Sequence, residues 1–340
     1  MREALSLSLS EWQNYLQSIG EAKYRARQIF SWIHEKLIFH PAEFSNIPKP
    51  LRDLLQKNFL WPQITLIRQV QDEKGVTKFL FKSEKKVFEA VFLPFPNRIS
   101  ACISVQSGCS LDCTFCATGK MQFFGNLSVQ EILWQVYFMQ KAFKKKITNV
   151  VFMGMGEPFF NYENSLKAAD ILNAKEGQNI GARHITLSTS GVLPGIQKFI
   201  EEKRNYSLAL SVHAATEKKR KKLMDIESRY PLSNIITYLE NNRSKIRSNG
   251  LTFEYILIAN ENMEKDDAKA LAQLAKKVNA KINLIPLNTN YHSYQRPSEQ
   301  EIIHFQNLLR NEGVLAFNRK SPGLKIQGAC GMLAAEINHD

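Results

Sequence analysis

No stretch of this 340-residue chain approaches the unbroken run of about 18 apolar residues that a membrane helix needs. The opening Met1 to Ser10 lacks the apolar core of a secretory signal, so the cytoplasm is the expected location. Cysteine is scarce and odd in number: five thiols cannot all pair, which does not suit a secreted disulfide framework and leaves a metal or catalytic role as the better expectation. Acidic side chains are also in deficit. Asp plus Glu number 32 against 45 Lys plus Arg, a net charge of +13 that makes a polyanion the natural partner. Internal repeats and low-complexity tracts are absent. With 44% apolar and 10% aromatic residues, the chain can bury a full core, as one large domain with a smaller appendage.

Two basic runs, Lys144-Lys145-Lys146 and Lys218-Lys219-Arg220-Lys221-Lys222, read singly as solvated helix ends. The global excess of cation is what points to nucleic acid.

Residues 1–60 carry apolar groups at helical spacing: Trp12, Tyr15 and Leu16; Ile29, Phe30, Trp32 and Ile33; Leu51, Leu54 and Leu55. They form a small helical module, punctuated by Pro48 and Pro50 and ended by Trp61-Pro62. Over 61–97 the pattern becomes alternating, as in Thr77-Lys78-Phe79-Leu80-Phe81. Asp72-Glu73-Lys74-Gly75 is a turn, so a short antiparallel sheet is expected before Pro94, Pro96 and Asn97 mark a boundary. From 98 to 340 strand-like and helix-like segments alternate. Candidate strands are 100–105, 149–153, 184–188, 207–212, 253–258, 282–286 and 314–317, and helical stretches include 129–143, 166–172, 232–241, 266–278 and 299–309. That alternation predicts an α/β fold with a parallel sheet, either open and doubly wound or a partial barrel.

Four of the five cysteines fall between Cys102 and Cys116. Cys109, Cys113 and Cys116 stand at spacings of four and three, on a loop just after a candidate strand, where βα folds place their ligands. Structural zinc normally needs a fourth ligand, and none lies nearby at the usual spacing. Three thiolates on a four-iron cluster leave one iron open to bind a further molecule.

These residues resemble the radical S-adenosylmethionine (SAM) superfamily, with its C-x-x-x-C-x-x-C loop. The resemblance sharpens over CSLDCTFCATGKMQFFGNL (109–127), Gly154-Met155-Gly156-Glu157-Pro158 and Ala329-Cys330-Gly331. Together with Lys23 to Ile33, these segments are similar to the bacterial RNA adenine-C2 methyltransferases known as RlmN. The resemblance spans nearly the whole chain. It implies a partial (β/α)6 radical-SAM barrel with an N-terminal helical module and a small antiparallel β extension. It also implies one [4Fe-4S] cluster on Cys109, Cys113 and Cys116, and two SAM molecules consumed per methylation.

By the same resemblance Gly156, Glu157, Ser188, Ser211, Val212, His213 and Asn288 are SAM contacts. Taken alone, each reads as a tight turn or a strand-end hydrogen bonder; their shared place at the carboxyl ends of successive strands favours a common pocket. Cys330 matches the residue that first accepts a methyl group, and Cys102 the thiol that later forms a disulfide with it. Glu89 matches a proposed proton acceptor. Adenine C2 is electrophilic, so a radical route suits its methylation. The implied partners are 23S ribosomal RNA, tRNA position 37 in several members, and an electron donor such as flavodoxin or ferredoxin. No membrane is involved, and a monomer is expected. RNA recognition would use shape and phosphate contacts, with the target adenine splayed from its stack.

Lys325 and Met332 depart from the family's usual residues around the cysteine. Pro158 favours C2 over the C8 chemistry of a related family. The competing readings are a radical SAM enzyme of different output and a non-catalytic zinc-dependent RNA-binding protein, which predicts tetrahedral zinc and no use for Cys330.

Overall fold

The computed structural model describes residues 1–248, 250–288, 294–319 and 321–334. Three helices make the amino-terminal module: α1 (Leu9–Ser18), α2 (Tyr24–His34) and α3 (Lys49–Asn58). Helix α1 starts at Ser8, whose hydroxyl accepts from the Glu11 N–H while the Glu11 carboxylate accepts from the Ser8 N–H, a reciprocal capping box. The predicted stripes are inward-facing: Trp12, Leu16, Ile29, Phe30, Ile33, Leu51 and Leu55 are all buried. The module sits against helix α4 (Val129–Phe143) and the segment after helix α5 (Tyr162–Asn173). There the fully buried His34 shares a 2.7 Å hydrogen bond with the Tyr137 hydroxyl, and the Gln178 amide donates to the His34 carbonyl at 2.6 Å.

Ten strands form one sheet in strict chain order: β1 (Thr65–Gln71), β2 (Thr77–Ser83), β3 (Lys86–Phe95), β4 (Arg98–Cys102), β5 (Asn149–Phe152), β6 (Ile185–Thr189), β7 (Ser207–Ser211), β8 (Leu251–Leu257), β9 (Lys281–Pro286) and β10 (Ala316–Asn318). The first four pair antiparallel and β4 to β10 pair parallel. A doubly wound sheet reverses its strand order partway, whereas this order never reverses, so the partial barrel holds. The expected antiparallel strands continue the same sheet, and β3 runs through Pro94 to Phe95. Helices α4, α5, α6 (Leu193–Glu201), α7 (Glu217–Leu223), α8 (Leu232–Asn241), α9 (Lys265–Val278) and α10 (Glu299–Asn311) fill the crossovers.

Alternation in β2 is resolved by what each face meets. Phe79 and Phe81 turn toward α4, their rings 5.7 and 5.2 Å from Phe138, while Lys78 and Leu80 turn to the opposite, concave face. On that concave face Val91 of β3 lies opposite Cys102, which in turn registers with Val151. The carboxyl ends of β4 to β9 converge there, which positions the site. No helix among the described residues is long and apolar enough to cross a membrane.

Candidate active site

The cluster loop leaves β4 through Gln106–Ser107, which pairs with Gly125–Asn126 and pinches the loop at its base. Gly108 sits at φ +78°, and a Cβ there would meet the Gln122 carbonyl oxygen at 2.4 Å, so only glycine allows this crossing. Within the loop the Cys116 N–H donates to the Cys113 carbonyl at 3.0 Å. Burial raises the pKa of all three thiols, that of Cys109 to about 12. Cys109 also feels Cys116, Cys113 feels both of the others, and Cys116 feels Cys330. Among the described residues no three Cys, His, Asp or Glu side chains close on a point the size of one ion. A cuboidal four-iron cluster holds its thiolates farther apart than a single tetrahedral metal does. Three soft thiols on one pinched loop, with no fourth ligand among the described residues, fit a site-differentiated cluster.

Next come the strand ends. Gly156, at φ +92°, lies so near Gln106 that a Cβ would come within 2.4 Å of its side chain. Buried Glu157 is turned toward the loop after β6, where its carboxylate accepts from the Ser190 N–H and hydroxyl, each at 2.7 Å, and it also accepts from the Phe159 N–H of its own loop at 2.9 Å. Burial raises the pKa of this carboxyl, and those hydrogen bonds oppose the rise. Ser188 lies two residues earlier on β6, and Ser211 ends β7.

His213 follows with a left-handed backbone, φ +57°, its ring edge-on to Phe115 at 4.8 Å. Its Nδ1 accepts from the Ile256 N–H at 3.1 Å, which assigns the proton of the neutral ring to Nε2. Burial, and then the charge of Arg220, hold its pKa down at about 3.

Residues 323–334 cross the mouth as a strap. The Thr118 hydroxyl donates to the Leu333 carbonyl at 2.7 Å and the Ala117 N–H to the Gly331 carbonyl at 2.8 Å, so the segment just after Cys116 grips the strap. Asn288 donates to the Cys330 carbonyl at 3.1 Å, and the Ala334 N–H donates to Glu89 at 3.0 Å. The strap therefore brings Cys330 to the buried Cys102. Burial first, and Cys330 second, push the Cys102 thiol up to about 12. Glu89 is 3% exposed, faces inward and pairs with Lys78 at 3.0 Å. Lys325 reaches out to Glu73 at 3.0 Å.

Three side chains of the site gave no sequence signal. Arg220, from the run read as solvated, is fully buried. It donates to the carbonyls of Ser190 at 2.5 Å, Val212 at 3.1 Å and Ser211 at 3.2 Å, and pairs with Glu227. It thereby ties the ends of β6 and β7 together. Arg319 lies near both Cys330 and Cys102 and 3.6 Å from Glu254; Cys330 and Glu254 hold its pKa above the ordinary arginine value. Lys78 is the partner of Glu89. Nothing in one sequence separates these cations from their exposed neighbours, because only the packing decides which of them is inside.

Two family models match: the radical SAM superfamily over residues 103–272, and the ribosomal RNA large subunit methyltransferase N-terminal domain over residues 3–60. A "Probable dual-specificity RNA methyltransferase RlmN" from Leptospira interrogans is 39% identical over 334 residues, 97% of this chain and 94% of that protein. One of the same description from Thermotoga petrophila is 40% identical over 335 residues, 98% of this chain and 97% of that protein. The crystal structure of a radical SAM methyltransferase from Sphaerobacter thermophilus superposes with a TM-score of 0.92 at 36% identity, covering 99% of this chain and all of that one. A barrel whose strand ends surround a three-cysteine loop, led by a helical module with its own family match, leaves no place for the zinc-protein reading: the chain belongs to the RlmN family of the radical SAM superfamily.

Proposed function

We propose that this protein is a SAM-dependent RNA methyltransferase that places a methyl group on C2 of an adenine in 23S ribosomal RNA, and on adenine 37 of tRNA. One observation carries the reading: the strap delivers Cys330 to Cys102 at the mouth, beside the cluster loop and near Glu89. Two thiols outside the metal loop, brought together by segments more than two hundred residues apart, are what a methyl-carrying mechanism needs. The matching names of the relatives support the RNA substrate.

Cysteines 109, 113 and 116 would hold the cluster, and Gly156, Glu157, Ser188, Ser211, Val212, His213 and Asn288 would border SAM. When bound, the cluster supplies an electron to cleave SAM reductively, giving the radical chemistry that an electrophilic ring carbon requires.

The chain's own residues do the rest. The sulfur of Cys330 takes a methyl group from a first SAM: a carbon–sulfur bond to the sulfonium breaks and a thioether forms. A second SAM, cleaved by that electron, carries off one hydrogen of the thioether methyl as 5′-deoxyadenosine; the carbon left behind bonds to C2, one electron leaves again and the C2 hydrogen departs as a proton, which links protein and RNA. Glu89, buried and inward, would take up a proton. Cys102, after losing its proton, then attacks the Cys330 sulfur: the S–S bond forms as the bond from sulfur to the methylene carbon breaks, that carbon takes up a proton to become the methyl group, and the disulfide left behind needs two electrons to be reduced. The reductive step calls for a one-electron donor such as flavodoxin or ferredoxin.

The test is anaerobic reconstitution with iron and sulfide, then incubation with SAM, reductant and an unmodified 23S RNA fragment, with mass spectrometry of the digested nucleosides. Wild type should yield 2-methyladenosine and Cys330→Ala none. Methyl at C8, or 2-methyladenosine from Cys330→Ala, would refute the position or the carrier respectively.

A further inference from the structure

Beside Glu89 the antiparallel strands and the strap leave a cavity of about 330 Å3, within the ~300–1,000 Å3 range of ligand-sized pockets. Arg68, Lys78, Leu80 and Glu89 line it from the sheet, and Lys325 and Gln327 from the strap.

Its position follows from register. Val70, Lys78, Val91 and Cys102 form one row across the concave face, and Arg68, Leu80 and Glu89 form the next row, about 7 Å away. The cavity thus runs from Lys78 and Glu89, in the rows that lead toward Cys102, to Arg68 at the free edge of the sheet.

Arg68 is on this face because β1 carries a bulge. The register runs Leu66 to Phe81 and then Arg68 to Leu80, skipping Ile67. In an unbroken ladder Arg68 would oppose Phe79 and point to the face packed by Phe138. The extra residue re-aims the guanidinium into the cavity. Lys78 and Lys325 are each held by a carboxylate, whereas among the described residues Arg68 forms no ion pair.

We propose that this cavity receives the nucleotide adjoining the target adenine, with Arg68 on the phosphate that joins the two. The inference rests on the reading that the protein methylates RNA. An adenine splayed into the mouth brings its covalent neighbour to within one nucleotide's reach, which is where the cavity lies. A guanidinium fork matches two phosphate oxygens, Leu80 and Val70 offer an apolar wall to a base, and the Gln327 amide offers a donor and an acceptor to a base edge.

The experiment uses the reconstituted full-length enzyme and a labelled RNA hairpin carrying the target adenine. Fluorescence anisotropy over a salt series would compare wild type with Arg68→Ala, each against hairpins with an uncharged methylphosphonate at the linkage on either side of the adenine. Arg68→Ala should weaken binding roughly tenfold and lower the log–log salt slope by about one. One methylphosphonate should weaken wild type by a similar factor and have little further effect on Arg68→Ala.

Unchanged affinity and slope in Arg68→Ala, or losses that simply multiply at both linkages, would overturn the assignment. SAM-dependent methylation of Cys330 without RNA serves as the control for an intact site. Failure of wild type to methylate the bound hairpin, with the Arg68 coupling present, would defeat the proposed activity and leave the subsite standing.

Discussion

At the scale of single residues, the chemistry rests on thiols held in different settings. Cys102 is buried, and burial raises its pKa to about 12, so its thiol must give up a proton before it can attack. Removing it deletes the group that breaks the protein–RNA link but not the groups that make it. Cys102→Ala should therefore accumulate a covalent adduct that survives denaturing electrophoresis, with release of 2-methyladenosine down at least a hundredfold. Free product at the wild-type rate would strip Cys102 of that role. The thiols were legible in the sequence because cysteine is rare and their spacing has few uses. Arg319 was not, since its place beside Cys330 depends on a strand end and a strap meeting across the barrel.

At the scale of elements, α7 shows how a charged helix serves the core. Lys218, Lys221 and Lys222 are exposed as expected, while Arg220 on the same short helix is sealed against the ends of β6 and β7. Arg220→Met alone would leave Glu227 buried without its partner, at about 3–5 kcal/mol. The double change Arg220→Met with Glu227→Met removes both charges. It should fold and keep the cluster loop, yet bind SAM about tenfold more weakly by isothermal titration, because Ser190, Ser211 and Val212 lose their common tie. Unchanged SAM affinity with a lower melting temperature would confine Arg220 to stability.

The helices with clear apolar stripes, such as α4, α8 and α10, were legible to within two residues at each end. Helix α7 carries too few apolar groups to show a period, and α6 starts on Leu193-Pro194, a pair that reads equally as a turn.

At the scale of the molecule, the helical module and barrel are joined through a buried histidine. His34 titrates near 6.5 in the unfolded chain and near 3 in the fold, lowered by burial. A folded pKa below the unfolded one means that unfolded chains take up the proton first, so stability falls as pH drops from about 6.5 toward 3. Between pH 7 and pH 5 this amounts to about 2 kcal/mol from His34 alone. Urea unfolding at the two pH values should show that loss in wild type and a correspondingly smaller one in His34→Gln. Equal losses would mean that the module does not depend on the neutral ring. Alternation of strand and helix foretold the barrel, but the unbroken order from β1 to β10 was open until β3 was seen paired with β4.

The strap also sets a timetable. Thr118 and Leu333, which clasp it to the cluster loop, are 215 residues apart in the chain. At the ~5–20 residues per second of bacterial synthesis, the three cluster cysteines leave the ribosome roughly 10–40 s before the segment that will cover them. For that interval the three thiols would lie uncovered by the strap, and the nascent chain, lacking Cys330, would have no thiol to carry a methyl group.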